Sequence, residues 1–168
     1  MTEGREIAAR AGFVKRVLSW AARPLTGPVQ YITSATNPKV CICRNAYAGF
    51  VIPITAIPES VKDRTDVVFR DEKFFSLVMS DVSGDSRVVP LVYACKRDIP
   101  MQLTTRKVAC FINPDSKAEP DPIERKCLAS YYNMFGSVQH WVCQKGMNLV
   151  FYDSHGQAVG IVAQVVRR

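Results

Sequence analysis

Short apolar segments separated by turn-forming residues follow one another from Lys39 onward, and this pattern constrains the fold more than any other feature. Glycine, proline, asparagine, aspartate and serine lie between the segments, which is typical of strands joined by turns. The predicted strands are 39–43, 50–54, 66–70, 73–82, 88–96, 102–112, 137–144, 149–153 and 158–166. Because helical segments are few and do not alternate with the strands, we expect an α+β fold, a predominantly antiparallel sheet packed with one or two helices.

Two of these strands carry features that predict their place in the sheet. Residues 73–82 and 88–96 flank the turn sequence Ser83-Gly84-Asp85-Ser86, so we expect them to form a hairpin. Proline has no amide hydrogen to donate to a neighbouring strand. Pro53 therefore predicts that the strand 50–54 lies at an edge of the sheet.

One internal helix is predicted over residues 122–135. Asp121 is a suitable cap, Pro122 takes the first helical position, and Glu124 lies three residues after the cap, as in a capping box. Apolar side chains follow at helical spacing: Ile123, Cys127, Leu128, Tyr131 and Phe135. Gly136 is a typical terminator, so we expect the helix to end there and to face the core.

The N-terminal residues 2–22 have the periodicity of an amphipathic helix. Its predicted apolar face recurs at steps of three and four residues: Ile7, Ala11, Val14, Leu18 and Ala21. Phe13 and Trp20 form an aromatic stripe beside the basic side chains. A helix with an apolar face, cationic flanks and exposed aromatic residues is typical of contact with a partner or an anionic membrane surface.

This helix supplies the predicted contact residues for self-association or membrane binding. They are Phe13, Val14, Val17, Leu18 and Trp20, with the basic residues Arg10, Lys15, Arg16 and Arg23 around them. The alternative is that the helix packs on its own domain, as amphipathic helices usually do.

Three segments make up the predicted domain organisation. The helix occupies 1–23, a linker or arm rich in proline and glycine occupies 24–38, and a single α+β domain occupies 39–168. A tethered helix can reach a neighbouring subunit, so we expect a homo-oligomer.

The charge of the chain predicts a polyanionic partner. Its 168 residues include 22 Lys and Arg against 15 Asp and Glu, a formal net charge of +7. This excess favours nucleic acid or an anionic membrane surface. The cations are scattered as doublets, which predicts a folded basic surface that includes Lys96, Arg97, Arg106 and Lys107. No element that reads bases is recognisable, so we expect contact that does not depend on sequence.

The six cysteines lie mostly in apolar segments, as free thiols that pack like small hydrophobic groups do. No export leader is recognisable, so we expect reduced thiols and a protein that is not secreted. Cys41, Cys43, His140 and Cys143 are of the types that bind zinc, but their spacing lacks the turn of a zinc knuckle. We therefore expect no metal.

No motif predicts catalysis. Asp153, Ser154 and His155 are adjacent in sequence, but Asp, Ser and Gly dominate turns, so the run predicts a turn. A glycine-rich phosphate loop followed by a helix is absent, so we expect no enzyme activity and no cofactor. No stretch has the roughly 18 apolar residues of a membrane-spanning helix, so membrane contact would be peripheral.

The segment Asp71-Glu72-Lys73-Phe74-Phe75-Ser76-Leu77-Val78-Met79 resembles the acid-Lys-Phe-Phe opening of a strand in animal rhabdovirus matrix domains. The chain length is similar to that of plant rhabdovirus matrix proteins. The resemblance implies a sheet packed with helices, an N-terminal arm that docks on a neighbouring subunit, and no catalytic residue. The chain lacks a lysine-rich N-terminus and a Pro-Pro-x-Tyr motif, so contact with budding machinery is not implied.

Two functions follow as expectations. The first is a viral structural, matrix-like protein of the virion and host cytoplasm that self-associates and bridges the nucleocapsid protein and its RNA to the inner face of the membrane. The second is a basic RNA-binding protein, such as a capsid subunit or a silencing suppressor. Direct RNA binding weakens steeply with salt, whereas assembly through apolar contacts persists.

Overall fold

A computed structural model describes residues 2–62, 68–80, 88–116 and 124–165 of the chain. The helices of this part are α1 (Thr2–Ala22), α2 (Glu59–Lys62), α3 (Glu72–Met79) and α4 (Ala129–Phe135). The strands are β1 (Gln30–Thr33), β2 (Val40–Arg44), β3 (Ala48–Pro53), β4 (Val68–Arg70), β5 (Val88–Pro100), β6 (Thr105–Ile112), β7 (Glu124–Leu128), β8 (Trp141–Lys145), β9 (Asn148–Tyr152) and β10 (Ala158–Ala163). The predicted α+β class is confirmed.

The described strands form one sheet in the order β4-β1-β2-β3-β10-β9-β8-β5-β6-β7. Neighbours pair antiparallel except β1 and β4, which pair parallel. The first residues of the long strand β5 pair with β8 and the remainder pair with β6. The predicted strand meander near the end of the chain is confirmed by β8, β9 and β10.

The sheet separates two apolar cores, and its central strands are buried on both faces. On one face, α1 and α4 cover a cluster that includes Phe13, Phe50 and Phe151. On the other face, α3 covers a cluster that includes Phe75 and Val150. Successive residues of a strand face opposite sides. Burial on both faces therefore explains why β3 and β10 are almost entirely apolar.

Helix α4 packs closely on β10 at Gly160. A Cβ atom at this position would lie 2.5 Å from Cε1 of Phe135 and 2.8 Å from the carbonyl oxygen of Gly49. The Phe135 ring also stacks on Phe151, with ring centroids 4.4 Å apart. Glycine is therefore required at position 160 because the aromatic ring occupies the space of a side chain.

Lys145 of β8 joins the C-terminal end of α3 to the sheet by hydrogen bonds. Its buried ammonium donates hydrogen bonds to the carbonyl oxygens of Leu77 (3.1 Å) and Ser80 (3.0 Å) and to the hydroxyl of Ser80 (3.1 Å). The last carbonyl groups of a helix lack partners within it and carry partial negative charge. Lys145 therefore satisfies these groups and neutralises the end of the helix.

Glu72, at the start of α3, joins this helix to the loop between β1 and β2. Its carboxylate accepts hydrogen bonds from the amide of Ala35 (3.0 Å) and the hydroxyl of Ser34 (2.7 Å). These two hydrogen bonds lower the pKa of Glu72 below its usual value. The ionised carboxylate therefore stabilises the contact between α3 and this loop.

The predicted strand 73–82 is wrong, because most of this segment is helix α3. The carboxylate of Asp71 caps the helix by accepting a hydrogen bond of 3.0 Å from the amide of Phe74. Phe75 and Val78, three residues apart, are the buried side chains. The predicted hairpin with 88–96 is consequently wrong, and its turn sequence lies outside the described residues.

The predicted helix 122–135 is correct only in its second half. Residues 124–128 form β7, which pairs with β6, and α4 begins at Ala129. Gly136 follows α4 with φ +54°, as predicted for a terminating glycine. The predicted cap, Asp121, and the next two residues lie outside the described part of the chain.

Two further expectations need correction. The strand containing Pro53 is not at an edge, because β3 lies between β2 and β10. Pro53 is tolerated because it is the exposed last residue of the strand. The segment 24–38, predicted as a linker or arm, contains β1, which pairs with β2 and β4.

Candidate nucleic-acid interface

The predicted contact residues of α1 lie in the core of the same chain. Phe13 and Val17 are fully buried and Trp20 is 7% exposed. Val14 and Leu18 are half-buried and pack against the same cluster. The helix therefore packs on its own domain, and its aromatic side chains are not exposed to a partner.

The buried face of α1 differs from the apolar face predicted from its periodicity. Ile7 is 64% exposed, and Ala11 is exposed as well. The buried positions 13, 17 and 20 also have helical spacing, and they carry larger side chains. The aromatic stripe is thus the core-facing side, because large aromatic side chains bury the most apolar area.

Two of the four basic residues predicted around this helix hold it in place. Arg10 forms an ion pair with the buried carboxylate of Asp153. The guanidinium of Arg16 donates to the carbonyl groups of the last two residues of α4, at 3.0 and 3.5 Å. Lys15 and Arg23 are exposed. The helix therefore leaves few cations for a ligand.

The other four predicted basic residues come together at the far end of the β5–β6 hairpin. We call residues 96–107 the basic arm; it contains Lys96, Arg97, Arg106 and Lys107 and one acidic residue, Asp98. All residues of the arm are exposed except Ile99, which is partly buried. The strand register places Asp98 opposite Lys107 and Ile99 opposite Arg106. Two cationic doublets nine or more positions apart in sequence thus form one compact surface.

The basic arm extends beyond the packed part of the sheet. Val108, which pairs with Arg97, is the last fully buried residue of β6 before the arm. From Val108 to the end of the ladder at Thr105 the strand rises about 10 Å, and the turn 101–104 lies beyond it. The arm is therefore accessible from both of its faces.

Cations lie on both faces of the arm. Residues directly opposite each other on antiparallel strands share a face, and successive residues alternate. Lys96 and Lys107 lie on the face that carries α4, where Lys96 donates a hydrogen bond of 2.9 Å to Asn133. Arg97 and Arg106 lie on the opposite face. A polyanion can therefore contact either side.

The arginines and lysines of the arm differ in whether their side chains already form ion pairs or hydrogen bonds within the chain. Arg97 pairs with Glu124, and the pKa of Arg97 is raised by its interactions with Cys110 and with that carboxylate. Within the described part of the chain, the side chains of Arg106 and Lys107 make no hydrogen bond or ion pair. These two residues are therefore the most available for a ligand.

The turn at the end of the arm is apolar. The amide of Met101 donates a hydrogen bond of 2.7 Å to the carbonyl group of Thr104, which closes the turn. Leu103 is 97% exposed and Met101 is 44% exposed. The arm thus combines a cationic stem with an apolar tip.

Strand β7 adds another of the scattered cationic doublets, Arg125 and Lys126, next to the strand β6. Arg125 is opposite Phe111, and Lys126 is opposite Cys110. Both are partly buried. The doublet was visible in the sequence, but the helix predicted over 122–135 separated it from the strands.

The run Asp153, Ser154, His155 forms the predicted turn. The carboxylate of Asp153 accepts hydrogen bonds of 2.9 Å from the amides of His155 and Gln157. The hydroxyl of Ser154 donates to Glu6 of α1 at 3.2 Å. The turn lines a cleft of about 1280 Å³ beside α1. The His155 ring also faces the Glu6 carboxylate, with Nε2 3.5 Å from it, so the side chains of Ser154 and His155 both join the turn to α1.

The cysteines are free thiols, and five of the six are buried. Burial raises the pKa of Cys41 to about 12, and it does the same for Cys127. Across the described ranges, no three His, Cys, Asp or Glu side chains are grouped closely enough to hold a metal ion. None of the helices in these ranges has the length and hydropathy needed to cross a membrane.

No protein-family model, curated protein or solved structure matches the chain. Its function therefore has to be argued from its own geometry and charge. In the described residues, the basic arm is where four of the predicted basic residues come together on one exposed hairpin.

Proposed function

We propose that the chain binds RNA through the basic arm, by contacts to phosphate groups that do not depend on sequence. The observation that carries the proposal is the exposed hairpin on which Lys96, Arg97, Arg106 and Lys107 lie within a few residues of one another across two strands. Four cations against one acid give this segment a net charge of +3. Binding that depends on phosphate needs only such a distributed cationic surface.

The two-sided charge of the arm favours a polynucleotide over a membrane. A membrane presents a plane, which one face of a hairpin can approach while the cations on the other face remain in water. A nucleic acid can follow both faces, and β-ribbons enter nucleic-acid grooves. The exposed tip residue Leu103 can then lie against bases, as apolar wedges do in other nucleic-acid complexes.

The matrix-like role implied by the resemblance stays a prediction with less support. Its expected contact element was the N-terminal helix, whose residues Phe13, Val17 and Trp20 lie inside the monomer. The segment 71–79, which carries the resemblance, is a capped helix and not the opening of a strand. The RNA-binding alternative is therefore the function that the geometry supports best.

Fluorescence anisotropy with a short labelled RNA, single-stranded and duplex, tests this proposal. The double variant R106Q/K107Q removes two exposed cations of the arm, and K15Q/R23Q removes two exposed cations of the helix end as a matched control. Each lost phosphate contact lowers the slope of log affinity against log salt by about 0.7 for a single strand. We expect the slope to fall by about 1.4 for the arm variant and to stay unchanged for the control. Equal effects of both variants, or none, would contradict the proposal.

A further inference from the structure

Two thiols face each other across the hairpin at the base of the basic arm. Cys95 of β5 is the direct antiparallel partner of Cys110 of β6. Partners of this kind project from the same face of a sheet, so the two side chains lie next to each other. The register of β5 shifts between Tyr93 and Cys95, which marks a β-bulge just before the pair. Such bulges increase the local twist and re-aim side chains.

The backbone separation at this position suits a disulfide bond. Directly opposed residues of antiparallel strands have Cα atoms about 4.5 or about 5.5 Å apart. Disulfides form at Cα separations of about 4.4 to about 6.8 Å. Direct cross-strand partners such as Cys95 and Cys110 therefore fall in the range of Cα separations at which disulfides form.

We propose that Cys95 and Cys110 are a redox-active thiol pair that low-molecular-weight disulfides, such as glutathione disulfide, oxidise to an intramolecular disulfide. Cys95 is partly exposed, so it can meet a soluble disulfide. Cys110 is fully buried, and Cys95 is its direct partner across the two strands. The first residue is thus the attacking thiol and the second is the resolving thiol. This inference does not depend on RNA binding.

The reaction balances in two exchanges. The Cys95 thiolate attacks one sulfur of glutathione disulfide, a Cys95–glutathione bond forms, and the first glutathione leaves as a thiolate. The Cys110 thiolate then attacks Sγ of Cys95, the Cys95–Cys110 bond forms, and the second glutathione leaves. The two protons of the cysteine thiols pass through water to the two glutathione thiolates. Two protein thiols are oxidised, and one glutathione disulfide is reduced to two thiols.

The surroundings distinguish this pair from the other buried cysteines. Burial raises the pKa of Cys110, and the nearby guanidinium of Arg97 opposes this by favouring the thiolate. The pKa of Cys43 is raised to about 12 by burial, and that of Cys127 is as well. Cys127 is opposite Ala109, so it lies on the other face of the sheet from Cys110. A buried thiol without a partly exposed partner has no route to exchange.

The test treats the full-length folded chain with glutathione disulfide, blocks remaining thiols by alkylation, and maps tryptic peptides without reduction. Trypsin releases Cys95 in the peptide 88–96, Cys110 in 108–117, and Cys127 together with Cys143 in 127–145. We expect the first two peptides joined, with the loss of two hydrogens. Cys110→Ser, and Cys110→Ala as a second variant, should stop at the glutathione adduct on Cys95. Cys127→Ser should still give the joined peptides.

Other outcomes would overturn the inference. These are a disulfide that joins 108–117 to 127–145, a stable glutathione adduct on Cys95 in the wild-type chain, or six unmodified thiols at full excess of glutathione disulfide. Circular dichroism of each variant before treatment shows that a lost crosslink reflects the missing thiol and not unfolding.

Discussion

Replacing Phe13 with alanine tests whether α1 is part of the core or a helix that binds a partner. Phe13 is fully buried, and its ring lies 6.1 Å from that of Phe50 and 5.9 Å from that of Phe135, centroid to centroid. Truncating a buried phenylalanine to alanine costs about 3–5 kcal/mol, through lost transfer free energy and the cavity left behind. Typical domains have only about 5–15 kcal/mol of stability. We therefore expect Phe13→Ala to remove a large part of the free energy of unfolding.

Urea denaturation, followed by circular dichroism and tryptophan fluorescence, measures this loss. With a denaturant slope of about 2 kcal/mol per molar, a loss of about 4 kcal/mol lowers the midpoint by about 2 M. Ile7→Ala is the matched control on the same helix, because Ile7 is 64% exposed. An exposed position of this kind should change stability by no more than about 0.5 kcal/mol. If Phe13→Ala were no more destabilising than Ile7→Ala, α1 would not be part of the core, and the prediction of a partner-binding helix would be restored.

Three further substitutions test particular contacts, each by equilibrium denaturation. Lys145→Met leaves carbonyl groups at the end of α3 without their buried donor. We therefore expect the free energy of unfolding to fall by about 1–3 kcal/mol, and an unchanged denaturation midpoint would contradict this. Gly160→Ala forces the chain away from the Phe135 ring and should cost about 1–3 kcal/mol, whereas Gly4→Ala, with open space around it, should not destabilise. The pKa of Glu72 is lower in the folded chain than usual, so its stabilising effect is present above the unfolded-state pKa and is lost as pH falls below about 4. Glu72→Gln should therefore make stability less dependent on pH in that acidic range, and an unaltered acid profile would refute the assigned hydrogen bonds.

The extent of α1 was predictable, but its buried face was not. Helical periodicity delimits residues 2–22 whichever side faces inward. Ala11 and Leu18 define one apolar stripe, and Phe13, Val17 and Trp20 define another beside it. Only tertiary packing decides between the two, because the larger side chains gain more from burial. The predicted contact residues were accordingly the ones that the core uses.

The predictions for 73–82 and 124–128 are wrong because each relied on a local sequence pattern. In the structure, other contacts decide the conformation of both segments. In the first, Phe75, Leu77 and Met79 would share one face of a strand, with Ser76 and Ser80 on the other face, but the Asp71 cap favours the helix. In the second, a capping-box pattern favours a helix, yet pairing with β6 along five residues makes a strand. The local preference of a segment for helix or strand has little weight when a neighbouring strand offers it hydrogen bonds.

The sequence was sufficient to identify the basic residues of the candidate site. It did not show that they lie together on one exposed hairpin. Lys96, Arg97, Arg106 and Lys107 were identified as cationic doublets in two predicted strands. Their separation in sequence gave no indication that one hairpin aligns them or that it extends past the core. That arrangement depends on the register of β5 and β6, which the bulge before Cys95 shifts by one residue.

Lysine footprinting tests the central claim, that the basic arm is where RNA binds, most directly. The chain is treated with an acetylating reagent with and without a short RNA at low salt, and modification is quantified by mass spectrometry. Lys96 and Lys107 lie on the arm, whereas Lys15 and Lys39 are exposed elsewhere. We predict that RNA protects the two arm lysines, that protection disappears at high salt, and that Lys15 and Lys39 react equally in both samples. Protection of Lys15 with full reactivity at Lys96 and Lys107 would contradict the account and place the contact on the N-terminal helix.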